Sequence, residues 1–320
     1  MRWGLLDDNE LSRNVPDRLG PLPDDVEPVW LDPQAGHLDE FDILLAMRER
    51  TAFPAAVLRQ LPRLRLLITT GRGNKAIDLD TATELGIAVA GAPGSGEGPT
   101  EQTWALILAV QRHLPYEDRT VRAGGWGTTI GTGLAGRTLG LLGFGTIARK
   151  VARVGRAFGM EVIAYSRNLG SDEPEAESVG FEELFQRADV LSIHVPGGPA
   201  TRHLVGPAEL ALLRPSAILV NTARGSVVDE AALFEALHSG RLRGAGLDVF
   251  ETEPLPAGHP LTTLEQVVLS PHRGYVTDVA FDAFYRNAAE VVRSFVDGRA
   301  INLVNPAVLA NPALRWSNLA

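Results

Sequence analysis

Short apolar runs recur along the chain, separated by longer polar stretches of helical character. In the first hundred residues Trp3 to Leu6, Asp42 to Ala46, Leu64 to Thr69 and Ile87 to Ala90 predict strands. Runs this short and this continuously apolar suit strands covered on both faces, which favours parallel sheet. The rhythm resumes after Arg137 with Leu139 to Leu142, Glu161 to Tyr165, Val190 to His194, Ala217 to Asn221, Gly244 to Val249 and Gln266 to Leu269, with helical segments between most of them. Between the two sets a loop rich in glycine and proline, Gly91 to Pro99, leads into Thr100 to His113. The apolar centre of that segment, Trp104 to Val110, predicts a buried helix between domains. The loop lacks the Lys-Ser/Thr ending of a P-loop and reads as a connector. Asp278 to Val296 predicts another long helix, and Ile301 to Ala320, without a pattern of its own, is expected to pack back on the first domain.

Within the second set, Leu139 to Arg167 reads as strand, glycine turn, helix and strand. The turn is Gly143-Phe144-Gly145-Thr146-Ile147-Ala148. Glycines here let backbone N–H groups approach a pyrophosphate at a helix N-terminus, where the helix dipole favours an anion. Ala148 stands at the third glycine position, which the motif permits because that residue serves helix–strand packing. The position that usually carries an acid for the ribose 2′-OH, 23 residues past Gly143, is Ser166, followed by Arg167. Loss of the acid and gain of a guanidinium favour a 2′-phosphate, although Asp172 and Glu173 follow closely.

In an open doubly wound sheet ligands bind beyond the carboxyl ends of the strands. Three predicted exits carry chemistry: Asn221-Thr222-Ala223-Arg224-Gly225, Asp248-Val249-Phe250-Glu251-Thr252-Glu253-Pro254 and Ser270-Pro271-His272-Arg273-Gly274. A cation, carboxylates and an imidazole on one edge fit reduction of a carbonyl beside a carboxylate. The cation grips and polarises the substrate, and the imidazole donates a proton under the influence of a neighbouring carboxylate. Composition alone does not choose between Glu251 and Glu253.

These exits, with the glycine turn before them, resemble the D-isomer-specific 2-hydroxyacid dehydrogenase family, and the branch that is glyoxylate/hydroxypyruvate reductase-like. The resemblance covers nearly the whole chain. It implies an α/β fold of two Rossmann-like doubly wound domains, a flavodoxin-like substrate domain (1–101 and 278–320) and a dinucleotide-binding domain (102–277) inserted into it. The catalytic set it implies is Arg224, Glu253 and His272, in that order, at spacings of 29 and 48 residues from Arg224. The implied cofactor contacts are Gly143, Gly145, Thr146, Ile147, Ser166, Arg167, Val195, Pro196, Thr201, Thr222 and Ala223, with Asp248 on the nicotinamide carboxamide. Backbone N–H groups of Thr70-Gly71-Arg72-Gly73-Asn74 are expected to hold the substrate carboxylate, making Arg72 and Gly73 substrate-binding residues beside Arg224. Two departures stand out. Gln102 occupies a place where many relatives carry histidine, and Arg273 and Tyr275 replace smaller residues.

Composition narrows the field further. With 45% hydrophobic residues in 320, the chain has enough apolar material for two cores. The absence of cysteine excludes disulfides, thiolate metal sites and a cysteine nucleophile. A net charge of −9 argues against a nucleic-acid surface, and no apolar segment reaches membrane-spanning length. The only lysines are Lys75 and Lys150, which disfavours Schiff-base chemistry, and no tyrosine has a lysine four positions later, as short-chain dehydrogenases require. His37, His113, His203, His238 and His259 read as surface or loop residues, and His194 as the end of a buried strand; no metal site is expected. The expectation is a cytoplasmic homodimer that moves hydride between NADP, or NAD, and a small 2-oxoacid to give a D-2-hydroxyacid. The readings it competes with are a formate- or phosphite-type dehydrogenase on the same scaffold and a cofactor-sensing corepressor.

Overall fold

The structure is a computed structural model that describes residues 1–6, 19–31, 37–71, 73–94, 96–127, 129–170 and 173–316. The chain divides into two compact units, Met1–Ser95 with Thr277–Ala320, and Gly96–Val276. The first crossing thus lies six residues before the expected 101/102 boundary. The reason is the helix Glu97–Gln111, which begins at Gly96 and belongs whole to the second unit.

The first unit holds five strands, β1 (Arg2–Leu5), β2 (Glu27–Trp30), β3 (Ile43–Ala46), β4 (Leu66–Thr70) and β5 (Ala88–Ala92), all parallel, in the order β2-β1-β3-β4-β5. This is the flavodoxin-like order. Every residue of β3, β4 and β5 is buried, as strands covered on both faces must be. The helix Asp278–Val296, capped by Thr277 Oγ1 accepting from the Ala280 N–H, buries Phe281, Phe284, Tyr285, Ala288, Val292 and Phe295 and packs on β4 and β5. That spacing of three and four is the apolar stripe of a core-facing helix.

The tail beyond it attaches through polar groups. Val304 N–H donates to Val89 O and Gly91 N–H to Asn302 O, so residues 302–304 line the outer edge of β5. The buried Asn305 side chain accepts from Val89 N–H and donates to Ile87 O. Trp316 stacks on Phe295 and donates its indole N–H to Phe295 O.

The second unit contains β6 (Thr138–Leu142), β7 (Glu161–Tyr165), β8 (Glu177–Ser178), β9 (Val190–Ile193), β10 (Ile218–Asn221), β11 (Gly244–Leu247) and β12 (Val267–Leu269). All are parallel, in the order β12-β11-β10-β9-β6-β7-β8. Strand order reverses between β6 and β9, so the crevice of the sheet opens there. Glu97–Gln111 packs on β10, β11, β12 and the helix Thr146–Ala157. Glycine in β11 makes that approach possible: a Cβ on Gly246 would lie 2.9 Å from Leu106 Cβ, and one on Gly244 2.9 Å from Val110 Cγ1. Two short strands are absent from the expected set, β2 and β8. Both are edge strands with exposed or half-buried residues, and β2 contains Pro28. Among the described residues no helix is long and apolar enough to cross a membrane.

Candidate active site

Register sets the stage. Leu142 pairs with Ile193, Ile193 with Asn221, Asn221 with Leu247 and Leu247 with Leu269, so five strands of the second unit end level. The residues that follow them emerge in one row.

The end of that row at β6 and β7 is built from backbone and space. Gly143 N–H donates to Tyr165 O at 2.8 Å with φ at 92°, and a Cβ there would sit 2.9 Å from the His194 carbonyl and from Val195 Cγ1. Gly145 caps the helix Thr146–Ala157 with no side-chain hydrogen bond, is exposed, and has nothing within 4 Å of a would-be Cβ. First-turn N–H groups left uncapped beside open space suit a pyrophosphate. Thr146 is exposed, Ile147 half-buried, and Ala148 fully buried in the core beneath. Ser166, half-buried, and Arg167, exposed, follow β7 in a turn closed by Leu169 N–H to Ser166 O. Arg149 lies over the Phe144 ring and bonds Glu173 at 2.7 Å and Glu175 at 3.3 Å. This bond to Arg149 holds the Glu173 carboxyl below its ordinary range and spends its charge away from Arg167. Asp172 lies outside the described residues.

After β9, burial pushes the His194 imidazole down to about 4, and its Nε2 lies 2.9 Å from Ser192 Oγ. The loop beyond runs through half-buried Val195 and exposed Pro196 and is closed by Thr201, whose hydroxyl donates to Pro196 O at 2.6 Å. A Cβ on Gly197 would lie 2.7 Å from Arg224 Cγ and 3.0 Å from its Cβ. This loop therefore rests on the arginine's stem.

The chemical end is built from side chains. After β10, buried Asn221 accepts from Ala223 N–H and donates to Arg224 O, each at 3.0 Å, which folds the chain into a tight turn. Thr222 meets Thr103 at 2.9 Å, and Arg224 is half-buried with Nη1 donating to Ala223 O at 2.6 Å. After β11, Glu253 accepts from Phe250 N–H at 2.9 Å through Oε1, and its Oε2 lies 2.6 Å from His272 Nδ1. Burial alone would raise the Glu253 carboxyl. The hydrogen bonds from His272 and Phe250 and the charges of His272 and Arg224 outweigh it, and the net direction is down. Glu251 turns elsewhere, facing Arg202 and His203, and it exchanges bonds with Glu230. The structure thus brings Glu253 and not Glu251 to the imidazole.

His272 follows β12 in the left-handed region at φ 53°, a conformation few residues other than glycine adopt. With Nδ1 committed to Glu253, Nε2 is the nitrogen left to meet a substrate. Tyr275 stands edge-on to the ring at 6.1 Å between centroids, and Arg273 is exposed. In the first unit, Arg72 lies outside the described residues. Gly73 beside it is exposed, and the loop is anchored by Gly71 N–H to Ala92 O and by buried Asn74 to Thr69 and Arg48. Among the described residues no group of His, Asp and Glu side chains is arranged to hold a metal ion.

A family profile described as D-isomer specific 2-hydroxyacid dehydrogenase, NAD binding domain, matches residues 104–274. The chain belongs to the D-isomer-specific 2-hydroxyacid dehydrogenases.

This dehydrogenase is 43% identical over 267 residues to a glyoxylate reductase of Aeropyrum pernix, covering 79% of the chain and 80% of the relative. It is 39% identical over 272 residues to a D-3-phosphoglycerate dehydrogenase of Methanocaldococcus jannaschii, covering 82% of the chain but only 51% of that relative. The crystal structure of a phosphoglycerate oxidoreductase from Vibrio cholerae superposes with a TM-score of 0.84 at 31% identity, covering 92% and 99% of the two chains. The dehydrogenase is thus an NAD(P)-dependent oxidoreductase that interconverts 2-oxoacids and D-2-hydroxyacids.

Three residues of the dehydrogenase's site are not singled out by the sequence, and a fourth, Gln102, appears there only as a departure. Gln102 donates to both Asp248 and Ser270, Gly197 shapes Arg224, and Glu230 stitches the 250–254 segment to the start of the helix Glu230–His238. Asp248 is buried, and its carboxylate accepts from Arg273 N–H and Gly274 N–H at 2.9 and 2.8 Å. Only the departure at Gln102 signalled any of these in advance.

Proposed function

We propose that the chain reduces a small 2-oxoacid of the glyoxylate and hydroxypyruvate class to the D-2-hydroxyacid, with NADPH preferred over NADH. The observation that carries the reading is the Glu253–His272 contact with Arg224 close enough to act on the same carboxylate. When bound, the nicotinamide supplies the hydride that attacks the carbonyl carbon. Arg224 holds the substrate carboxylate and draws electron density toward the carbonyl oxygen. As the carbon–oxygen π pair moves onto that oxygen, His272 delivers a proton to it from Nε2. Glu253 fixes the ring through Nδ1 and balances the imidazolium charge before transfer. In this reading Asp248 orients the carboxamide.

The cofactor preference rests on Ser166 and Arg167. The guanidinium is exposed and has no ionic partner among the described residues, while Glu173, six residues on, is bound by Arg149. A homodimer is supported by a run of exposed apolar side chains: Leu114, Val121, Trp126 and Ile130 expose 53, 50, 84 and 94% of their surface.

Initial rates with NADPH and NADH across glyoxylate, hydroxypyruvate, pyruvate and phenylpyruvate test the proposal. Glyoxylate or hydroxypyruvate should give the highest kcat/KM, with NADPH favoured, and His272→Ala should lower kcat by about 10²–10⁴-fold. Absence of turnover on the whole panel, or full activity in His272→Ala, would sink it.

A further inference from the structure

We propose that Gln102 is a positioning residue for His272, acting through Asp248. The proposal rests on the functional reading above in giving His272 a task, but its geometry stands by itself within the second unit. Asp248 binds three consecutive amides of the turn after β12. Its carbonyl accepts from His272 N–H at 2.8 Å, Oδ1 from Arg273 N–H at 2.9 Å and Oδ2 from Gly274 N–H at 2.8 Å. Those bonds oppose the tendency of a residue at φ 53° to relax toward the common regions of backbone space. Asp248 is 1% exposed, so water does not replace a lost partner cheaply.

Gln102 reaches this turn from the helix Glu97–Gln111. Its Nε2 donates one hydrogen to Asp248 Oδ1 at 3.1 Å and the other to Ser270 Oγ at 2.7 Å. A carboxylate only accepts, so the amide nitrogen and not its oxygen must face it, and both hydrogens are then used. Ser270 is the other end of the turn: its N–H donates to Leu247 O and its carbonyl accepts from His272 N–H at 3.1 Å. Gln102 thereby ties the acceptor that holds residues 272–274 to the residue from which the turn departs. Packing reinforces the tie, since a Cβ on Gly274 would lie 3.0 Å from Asp248 Oδ2 and within 3.8 Å of Pro99 Cα and Gln102 Cβ. Gln102 touches neither the reacting atoms nor His272, and it adds a donor that has no proton to lose in the working pH range.

Two variants separate this from a packing role. Gln102→Met keeps the volume and removes both donors. Gln102→Glu keeps the shape but sets a second carboxylate against Asp248. Amide hydrogen exchange in the protein without substrate or cofactor should quicken about tenfold at Arg273 and Gly274 in Gln102→Met, the loss expected of one hydrogen bond. It should quicken more in Gln102→Glu and stay unchanged at Leu141 in β6. In turnover, kcat should fall about tenfold in Gln102→Met, by the same hydrogen-bond equivalent, with KM for the nicotinamide cofactor unchanged. Unchanged exchange at Arg273 and Gly274, or exchange that quickens equally at Leu141, overturns the proposal, as does a fall in cofactor affinity with kcat intact. Because the exchange measurement needs no turnover, local quickening in a protein inert toward every 2-oxoacid would support the link from Gln102 to the turn while refuting the assigned reaction.

Discussion

At the exit of β6 the chain offers a phosphate little but amide groups and room: Gly143 turned through φ 92°, Gly145 with open space where a side chain would stand, and a helix start without a side-chain cap. At the exits of β10, β11 and β12 it offers side chains, each tied down. Arg224 is bound to Ala223 O and overlaid by Gly197, Glu253 is held by Phe250 N–H, and His272 is held by Glu253 and Asp248. The contrast follows from the two tasks proposed for them. An anion spread over several oxygens is satisfied by many weak, preoriented donors, whereas proton transfer depends on one atom standing within hydrogen-bond distance of another. One end should therefore fail by being filled, and the other by being loosened.

The largest effect tests filling. Gly143→Ala places a methyl 2.9 Å from the His194 carbonyl and from Val195 and asks a residue with a side chain to hold φ 92°. It should weaken NADPH binding by about two orders of magnitude, and the unfavourable backbone should cost on the order of 1–3 kcal/mol of stability. Fluorescence titration and urea unfolding measure the two losses. Gly145→Ala sharpens the point, because it should leave stability intact and lower only nucleotide affinity; equal behaviour of the two variants would erase the distinction between packed and open glycines. A smaller effect tests loosening. Gly197→Ala must displace the Arg224 stem, and should reduce kcat/KM for the 2-oxoacid about tenfold, in line with one weakened charged hydrogen bond. Gly198→Ala meets nothing within 4 Å and should stay within about twofold, a change small beside a lost hydrogen bond.

A separate, pH-dependent effect concerns His194, whose carbonyl borders the turn at Gly143. Its folded value, about 4, lies below the ordinary 6.5, so between those values the unfolded chain binds a proton that the folded chain refuses. Stability is whole above pH 6.5 and declines as pH falls toward about 4, by roughly 3 kcal/mol at most. Urea unfolding across this window should show the slope in the parent, and His194→Asn should flatten it. An unchanged slope would assign it to other groups. Glu253 works in the same sense at lower pH: its lowered carboxyl stabilises the fold above its unfolded value, and that contribution is lost as pH falls through the folded one.

How much of this was legible beforehand depended on whether the responsible interaction was local. The buried strands were legible because two covered faces demand continuous apolar runs, and β2 and β8 were not because edge strands make no such demand. Arg224 and His272 stood out because each follows an apolar run, and Glu253 stood out from Glu251 only through the family resemblance. The ties that aim them did not. Gln102 meets Asp248 across 146 residues and Ser270 across 168, and nothing in the neighbourhood of any of the three announces the meeting. Gly197 was silent for a related reason: a glycine that makes way for a distant stem has the same letter as one that merely turns a loop.

The tail that lines β5 has a consequence for how the molecule comes into being. Asn305 completes its bonds to Ile87 and Val89 across 218 and 216 residues, and Trp316 closes over Phe295. On the ribosome, where domains ordinarily mature in the order they are made, this order is inverted. The second unit has all of its residues once Val276 has emerged, while the first waits for residues 277–316 to follow it. Until residues 302–304 emerge, the edge of β5 lacks its cover, an unpaired row of amides of the kind nascent-chain chaperones exist to shield.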